Sequence, residues 1–303
     1  MKHPVIEVSD VYRYYGEVLA VDGVSFSVRR GETLGLIGHN GAGKSTLFKM
    51  MLGLIPVSAG EIRINGEPVR GSGFRELRRT IGYLPENVVF YDNLTGLETL
   101  QFFAALKNCD KRDCLAVLEK VGLSHAATRR VDGYSKGMRQ RLGFAQALLG
   151  KPRLLFLDEP TSGLDPEGIR EFYRILHELN ADGVTVVITS HILSEIQERV
   201  ERLAVIKSGK LQALGTVQEL REAVDLPLAI HLILRETAEA VRTALQGVAL
   251  VKLEIAGQNV VIECHRTDKM DVLRRLGMLA EVDDIVVREP TLEDVFLGYA
   301  RES

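Results

Sequence analysis

Short β-rich runs open the chain, with apolar residues at alternating or consecutive positions in VIEV at 5 to 8, VLAV at 18 to 21 and VSFSV at 24 to 28. TLGLI at 33 to 37 is apolar enough to be a central strand, and a glycine-rich turn follows it at once. LFKMMLGL from Leu47 reads as a helix packed on that strand, and GEIRINGEPV at 60 to 69 reads as a hairpin turning at Asn65-Gly66. The amino-terminal third is therefore expected to be a mixed sheet around one βα unit.

From about Thr95 to Leu149 apolar residues recur three and four apart, in GLETLQFFAAL, DCLAVLEKVGL and GMRQRLGFAQALLG, which predicts a helical insert over about 87 to 150. Strand patterns return in RLLFL at 153 to 157, VTVVIT at 184 to 189 and RLAVI at 202 to 206. They alternate with the helical stretches EGIREFYRILHELN and ILSEIQERV, an order that implies a parallel α/β core. After Pro227 the order becomes β-α-β-β-α-β, which suggests a small α+β ferredoxin-like module. Two domains are expected, over 1 to 222 and 226 to 303.

Composition narrows the class. Hydrophobic residues make up 46% and charged residues 26% of 303, which excludes collagenous, disordered and disulfide-scaffold chains. With 38 Lys and Arg against 41 Asp and Glu, the formal charge of −3 exerts no global pull on nucleic acid or anionic lipid. The first residues, MKHPVIEVSD, reach Glu7 and Asp10 before an apolar run forms, so no secretory leader is expected. No apolar stretch approaches the ~18 residues of a membrane-spanning helix, so any membrane part is expected from another chain. Cys109, Cys114 and Cys264 match no common zinc spacing and suit a reducing compartment as inert thiols, with a metal-handling pair at Cys109 and Cys114 as the alternative.

Gly38-His39-Asn40-Gly41-Ala42-Gly43-Lys44-Ser45 matches the P-loop pattern and sits between a predicted strand and a predicted helix. Glycines let successive amide N–H groups converge on phosphate oxygens at a helix N-terminus, where the helix dipole also favours negative charge. Lys44 is placed to reach the β- and γ-phosphates, Ser45 to ligate Mg²⁺, and Thr46 follows on the same helix start. Leu154-Leu155-Phe156-Leu157-Asp158-Glu159 is an apolar strand ending in two carboxylates beside the P-loop. Asp158 is expected to hold Mg²⁺ through water, and Glu159 to take a proton from the water attacking the γ-phosphorus.

Between those motifs, Tyr134-Ser135-Lys136-Gly137-Met138-Arg139-Gln140-Arg141 resembles the signature segment of ABC transporter ATPases. Ser162-Gly163-Leu164-Asp165 resembles their D-loop and Thr189-Ser190-His191 their switch histidine. The resemblance covers residues 1 to about 220, in the family's order. It implies a P-loop NTPase of the ABC nucleotide-binding type, with a RecA-like core, an antiparallel β subdomain and a helical subdomain. It also implies a head-to-tail homodimer with ATP and Mg²⁺ clamped between the P-loop of one subunit and the signature of the other.

In that scheme Ser135 caps the helix beginning near Lys136, and its hydroxyl with the amides of Lys136 and Gly137 forms a second anion site. His191 would contact the γ-phosphate and Asp165 would bridge to the partner subunit. Tyr15 would stack on adenine, although strand packing is an alternative for it, as for its neighbours Tyr12 and Tyr14.

The chain departs from the family pattern at Glu86, where glutamine is usual, and at Lys136 and Met138 in the signature. Glu86 offers a carboxylate oxygen to Mg²⁺ in place of an amide oxygen and adds negative charge near the phosphates. A narrower resemblance lies in Gly82-Tyr83-Leu84-Pro85-Glu86-Asn87-Val88, Phe90-Tyr91 and Gln146-Ala147-Leu148-Leu149-Gly150. These runs look like the ATPase of the copper-linked ABC transporter that matures nitrous-oxide reductase.

The resemblance implies an ATP-hydrolysing motor on the cytoplasmic face of the inner or plasma membrane, attached through an integral-membrane permease. No nucleic-acid partner is expected: a soluble ABC ATPase acting on DNA or ribosomes would show a long coiled coil or tandem cassettes. The carboxy-terminal module carries no phosphate loop or acid pair and reads as a dimer-stabilising or regulatory extension, with a ligand sensor as the alternative.

Overall fold

The computed structural model describes residues 4–223, 226–235 and 239–290. They form two compact units that divide between Thr216 and Val217.

The first unit begins with an antiparallel sheet. Strand β1 (Ile6–Tyr15) pairs with β2 (Val18–Val28) on one edge and β4 (Ala59–Ile64) on the other, with the short β5 (Glu67–Pro68) beyond. The runs expected at 18 to 21 and 24 to 28 are one strand, which continues through Gly23 at a register shift against β1. Asn65 and Gly66 both take positive φ, 50° and 81°, as a two-residue hairpin turn requires.

The central sheet holds β3 (Thr33–Ile37), β6 (Ile81–Leu84), β7 (Leu154–Asp158), β8 (Thr185–Ser190), β9 (Arg202–Lys207) and β10 (Lys210–Gly215). Its order is β10-β9-β3-β8-β7-β6, parallel except for β10. Every residue of β3, β7 and β8 is buried, as parallel strands covered on both faces must be. Helix α1 (Lys44–Met51) lies against this sheet, with the Phe48 ring 5.2 Å from Phe156 in an edge-to-face pair. Full burial of Phe48 is worth about 1.5–3 kcal/mol, which fixes the helix that follows the glycine-rich turn.

After the short α2 (Ser72–Arg78) and β6 comes the helical insert, α3 (Gly96–Lys107), α4 (Asp113–Lys120) and α5 (Lys136–Leu148). A capping box opens α3, with Thr95 and Glu98 each accepting the other's backbone N–H. Helix α6 (Pro166–Ala181) carries Phe172, Tyr173, Ile175 and Leu176 on its buried face and joins β7 to β8.

ILSEIQERV is not the helix its spacing predicts. Only Leu193–Ile196, α7, is helical, because Glu201 N–H already bonds the Thr33 carbonyl as the chain enters β9. Strand β10 and helix α2 are additions to the elements that the sequence predicts. Among the described residues no helix is long and apolar enough to cross a membrane.

The second unit starts with α8 (Val217–Ala223), so the units divide before the expected boundary at 222. It continues as β11 (Leu228–Leu234), α9 (Glu239–Ala244), β12 (Leu250–Ala256), β13 (Asn259–Cys264), α10 (Lys269–Leu276) and β14 (Val282–Arg288). The sheet order β12-β13-β11-β14 is antiparallel throughout, the ferredoxin-like arrangement. Its core packs Ile230, Leu232, Val260 and Ile262 against Val241, Val272 and Leu276 of the two helices. Burial pushes up the thiols of Cys114 and Cys264, while Cys109 is half-buried.

Candidate functional site

The loop from Gly38 to Gly43 passes from the end of β3 into α1 and is pressed closely between neighbours. A Cβ on Gly38 would fall 2.3 Å from the Ile206 carbonyl oxygen of β9. One on Gly43, whose φ is 102°, would fall 2.5 Å from the Ala20 carbonyl oxygen of β2. Only glycine lets the backbone approach this closely, and the strand-turn-helix geometry follows from it. Gly43 caps α1 with no side-chain acceptor, so the first N–H groups of the helix are open to an anion.

The loop forms one wall of a cleft of about 260 Å³ lined by Ala20, the run His39–Thr46, Glu86, Glu159 and His191. Residues expected from four separate stretches of sequence therefore meet in one place. Lys44 is buried, and its Nζ donates to the carbonyls of Gly38 (2.5 Å) and His39 (3.2 Å). Burial lowers its pKa, and the negative charges of Glu159, Asp158 and Glu86 partly counter that.

Asp158 ends β7 and Glu159 follows it directly. Asp158 is buried, and the Thr189 hydroxyl of β8 donates to its Oδ1 at 2.6 Å. The same Thr189 oxygen accepts the Glu159 N–H at 2.9 Å. Burial raises the Asp158 pKa; the Thr189 hydrogen bond opposes this, and the charges of Glu86 and Glu159 add to it. Burial, with help from the same acids at 158 and 86, pushes the Tyr83 phenol up to about 12, so it stays protonated beside them.

Glu159 sits in the left-handed region with φ 46°, a conformation that costs a non-glycine residue of order 1–3 kcal/mol. Its carboxylate reaches His191, whose Nδ1 lies 2.7 Å from Glu159 Oε2. Along the sequence Thr189 stands out only as part of the run before His191. Its role in joining the two strand ends is visible only once β7 and β8 are paired at Asp158 and Thr189.

The signature residues lie elsewhere. Ser135, Lys136, Gly137, Met138 and Asp165 are not among the residues lining the cleft. Ser135 caps α5, its Oγ accepting the Met138 N–H at 3.2 Å. Asp165 caps α6 through the Gly168 N–H at 3.0 Å. The two segments pack on each other, since a Cβ on Gly163 would meet the stem of Lys136 at 2.7 Å. Gln140, buried within α5, donates to the Pro160 carbonyl at 2.9 Å and ties this helix to the chain just past Glu159.

Tyr15 is 45% exposed at the end of β1, with the Arg13 guanidinium 4.5 Å from its ring centroid on one face. It does not line the 260 Å³ cleft. Tyr12, by contrast, is engaged with Asp10, whose hydrogen bond raises its pKa.

The cleft thus presents a run of backbone donors, one lysine and two carboxylates, with the buried Asp158 behind them, a donor set suited to a polyphosphate with a hard divalent cation. Residues 21–162 match the family model described as "ABC transporter". The chain is 44% identical over 209 residues to the bacitracin transport ATP-binding protein BcrA of Bacillus licheniformis, covering 68% of each. It is 32% identical to the linearmycin resistance ATP-binding protein LnrL of Bacillus subtilis, covering 97% of both chains. Among solved structures, the dimeric structure of MJ0796, a bacterial ABC transporter cassette, superposes with a TM-score of 0.65 at 26% identity. It covers 70% of this chain and 98% of that one.

Proposed function

Because this chain belongs to the ABC transporter ATP-binding proteins and is an ATPase of that family, we propose that two copies close head to tail around ATP and drive a separate membrane permease of the export type. The observation that carries this reading is the division of the phosphate donors. The cleft holds the loop, Lys44 and the acids on one side, while the capped start of α5 at Ser135 lies outside it. A second copy supplies the missing side.

In the closed dimer the amides of Gly41, Ala42, Gly43 and Lys44, with the Lys44 ammonium, hold the β- and γ-phosphates. His39, Asn40 and Gly38 shape the loop, and Thr46 continues the helix start. Ser45, Glu86 and Asp158 are the oxygens that would hold Mg²⁺, which neutralises charge on the phosphates. Glu159 accepts the proton of the attacking water, and His191, fixed by its contact with Glu159, donates towards the γ-phosphate. Ser135 and the amides of Lys136, Gly137 and Met138 from the second copy complete the cage, and Asp165 lies beside that junction. Arg13 covers one face of the Tyr15 ring, leaving the other to adenine.

The permease reading is supported by an apolar surface at the entry to the helical insert. Val89 is 85%, Tyr91 62% and Leu106 65% exposed, around an aromatic cluster of Phe90, Phe102 and Phe103. Exposed apolar patches of this kind mark interaction sites. With the permease in the membrane, this subunit sits peripherally on its cytoplasmic face.

The relatives named for bacitracin transport and linearmycin resistance support an exported small molecule as cargo. A copper or sulfur cargo serving nitrous-oxide reductase rests on the Gly82–Val88 and Gln146–Gly150 runs. These two runs pack on each other, since a Cβ on Gly82 would fall 2.3 Å from the Ala147 carbonyl oxygen. The names of the relatives weigh more than these two runs, so an exported small molecule is the cargo reading we favour.

Purification from gently solubilised membranes tests the proposal. A co-purifying hydrophobic permease is expected, and Val89→Asp is expected to release it. Recovery only in a soluble fraction with ribosomes or DNA would overturn it. Metal content and genetic linkage of that permease separate the two cargo readings.

A further inference from the structure

In the second unit, the sheet of β11 to β14 buries one face under α9 and α10 and leaves the other open. The strand registers place three rows of side chains across that open face. The middle row is Glu254, Val261, His231 and Val286. One flanking row is Lys252, Glu263, Ala229 and Arg288, and the other is Ala256, Asn259, Ile233 and Asp284. Ile233 on β11 is 47% and Val286 on the edge strand β14 44% exposed, two large apolar groups beside the charged Asp284 and Arg288.

This pattern is self-complementary about one axis. A twofold axis lying along the middle row, perpendicular to the strands, exchanges the two flanking rows between copies. Arg288 of each copy then meets Asp284 of the other, and Ala229 meets Ile233. Val261, His231 and Val286 each meet their own counterpart. At the rim, Glu254 is already paired with Lys252 at 2.7 Å, which relieves its approach to its counterpart. The alternative twofold axis, parallel to the strands, sets Arg288 against Lys252, which Glu254 already offsets, and Asp284 against Ala256, so it offers no attractive charge contact. Charge therefore selects the first arrangement.

We propose that this face is an isologous interface at which the carboxy-terminal modules of two copies of this chain pair, with Val286 on the axis and reciprocal Arg288–Asp284 contacts at one edge. Four strands about 4.8 Å apart and a strand length of about 20 Å give about 400 Å² per copy. The total of about 800 Å² is below the ~1,200 Å² of a stable standalone interface. The contact is accordingly an auxiliary one, holding two copies near each other when nucleotide does not.

Cysteine cross-linking of the full-length, nucleotide-free protein tests this apart from the ATP sandwich, which needs nucleotide. In a Cys109→Ser background, Cys114 and Cys264 are buried, so an introduced thiol reports alone. Val286→Cys is expected to form a disulfide-linked dimer quickly under mild oxidation. Lys252→Cys, whose counterpart lies about 13 Å away along the strand, is expected not to. Adding Arg288→Asp to Val286→Cys should slow cross-linking at least about tenfold, and adding Asp284→Arg to that protein should restore it. Equal rates at positions 286 and 252, no effect of Arg288→Asp, or no recovery on the charge swap would each overturn the proposal.

Discussion

Glu159 Oε2 and His191 Nδ1 lie 2.7 Å apart, joining the end of β7 to the turn after β8. Glu159 is 14% exposed at its side chain, so its carboxylate is held in one direction by the histidine and by the strained backbone beneath it.

Replacing Glu159 by Gln keeps the shape and removes the proton acceptor. Steady-state phosphate release is expected to fall at least about 10²-fold, while ATP affinity is retained. With ATP and Mg²⁺ the variant should accumulate as a dimer by light scattering. Unchanged turnover would remove Glu159 from the role of base, and a persistent monomer would remove the sandwich.

Glu86 joins Glu159 as the second carboxylate lining the cleft, and its charge acts on the buried Asp158. Glu86→Gln removes one negative charge, so the Mg²⁺ concentration for half-maximal ATPase activity is expected to rise several-fold. A titration that leaves both the Mg²⁺ dependence and turnover as they were would show that this oxygen does not serve the cation.

Tyr15→Ala is expected to raise KM for ATP about three- to tenfold with little change in kcat, as loss of one stacking face predicts. Tyr14→Ala, its exposed neighbour on the strand, should leave KM where it was. Equal effects of the two substitutions would assign the aromatic run to packing.

The start of α3 gives a pH-dependent prediction. Hydrogen bonds from the Thr95 N–H and hydroxyl hold the Glu98 carboxyl below its ordinary value of 4.5. A depressed acid stabilises the fold fully above 4.5, and that share is lost as pH falls through the depressed value. Glu98→Ala should therefore lower Tm at pH 7, with the difference from the parent protein shrinking in acid. Thr95→Ala should cost about 1 kcal/mol at pH 7 by urea unfolding.

Much of this was legible in the chain because the signals are local. The apolar run Thr33–Ile37, the glycines after it and the acid-ended strand at Leu154–Asp158 each announce their geometry within ten residues. The module after Pro227 was legible for the same reason, its strands and helices alternating with clear periods. The helix expected at ILSEIQERV failed because a non-local bond, Glu201 N–H to the Thr33 carbonyl, takes the chain into the sheet first. Helix α2 was silent because only Phe74 of its seven residues is buried. Arg13 against Tyr15 and Thr189 between two acids are contacts across strands, and no spacing along the chain encodes them.

One hydroxyl, that of Thr189, grips Asp158 by its side chain and Glu159 by its backbone. The acid pair is thereby riveted to β8, and the histidine two residues beyond Thr189 is tied to it through Glu159. A lesion that loosens Thr189 is expected to blunt turnover before it blunts affinity for ATP.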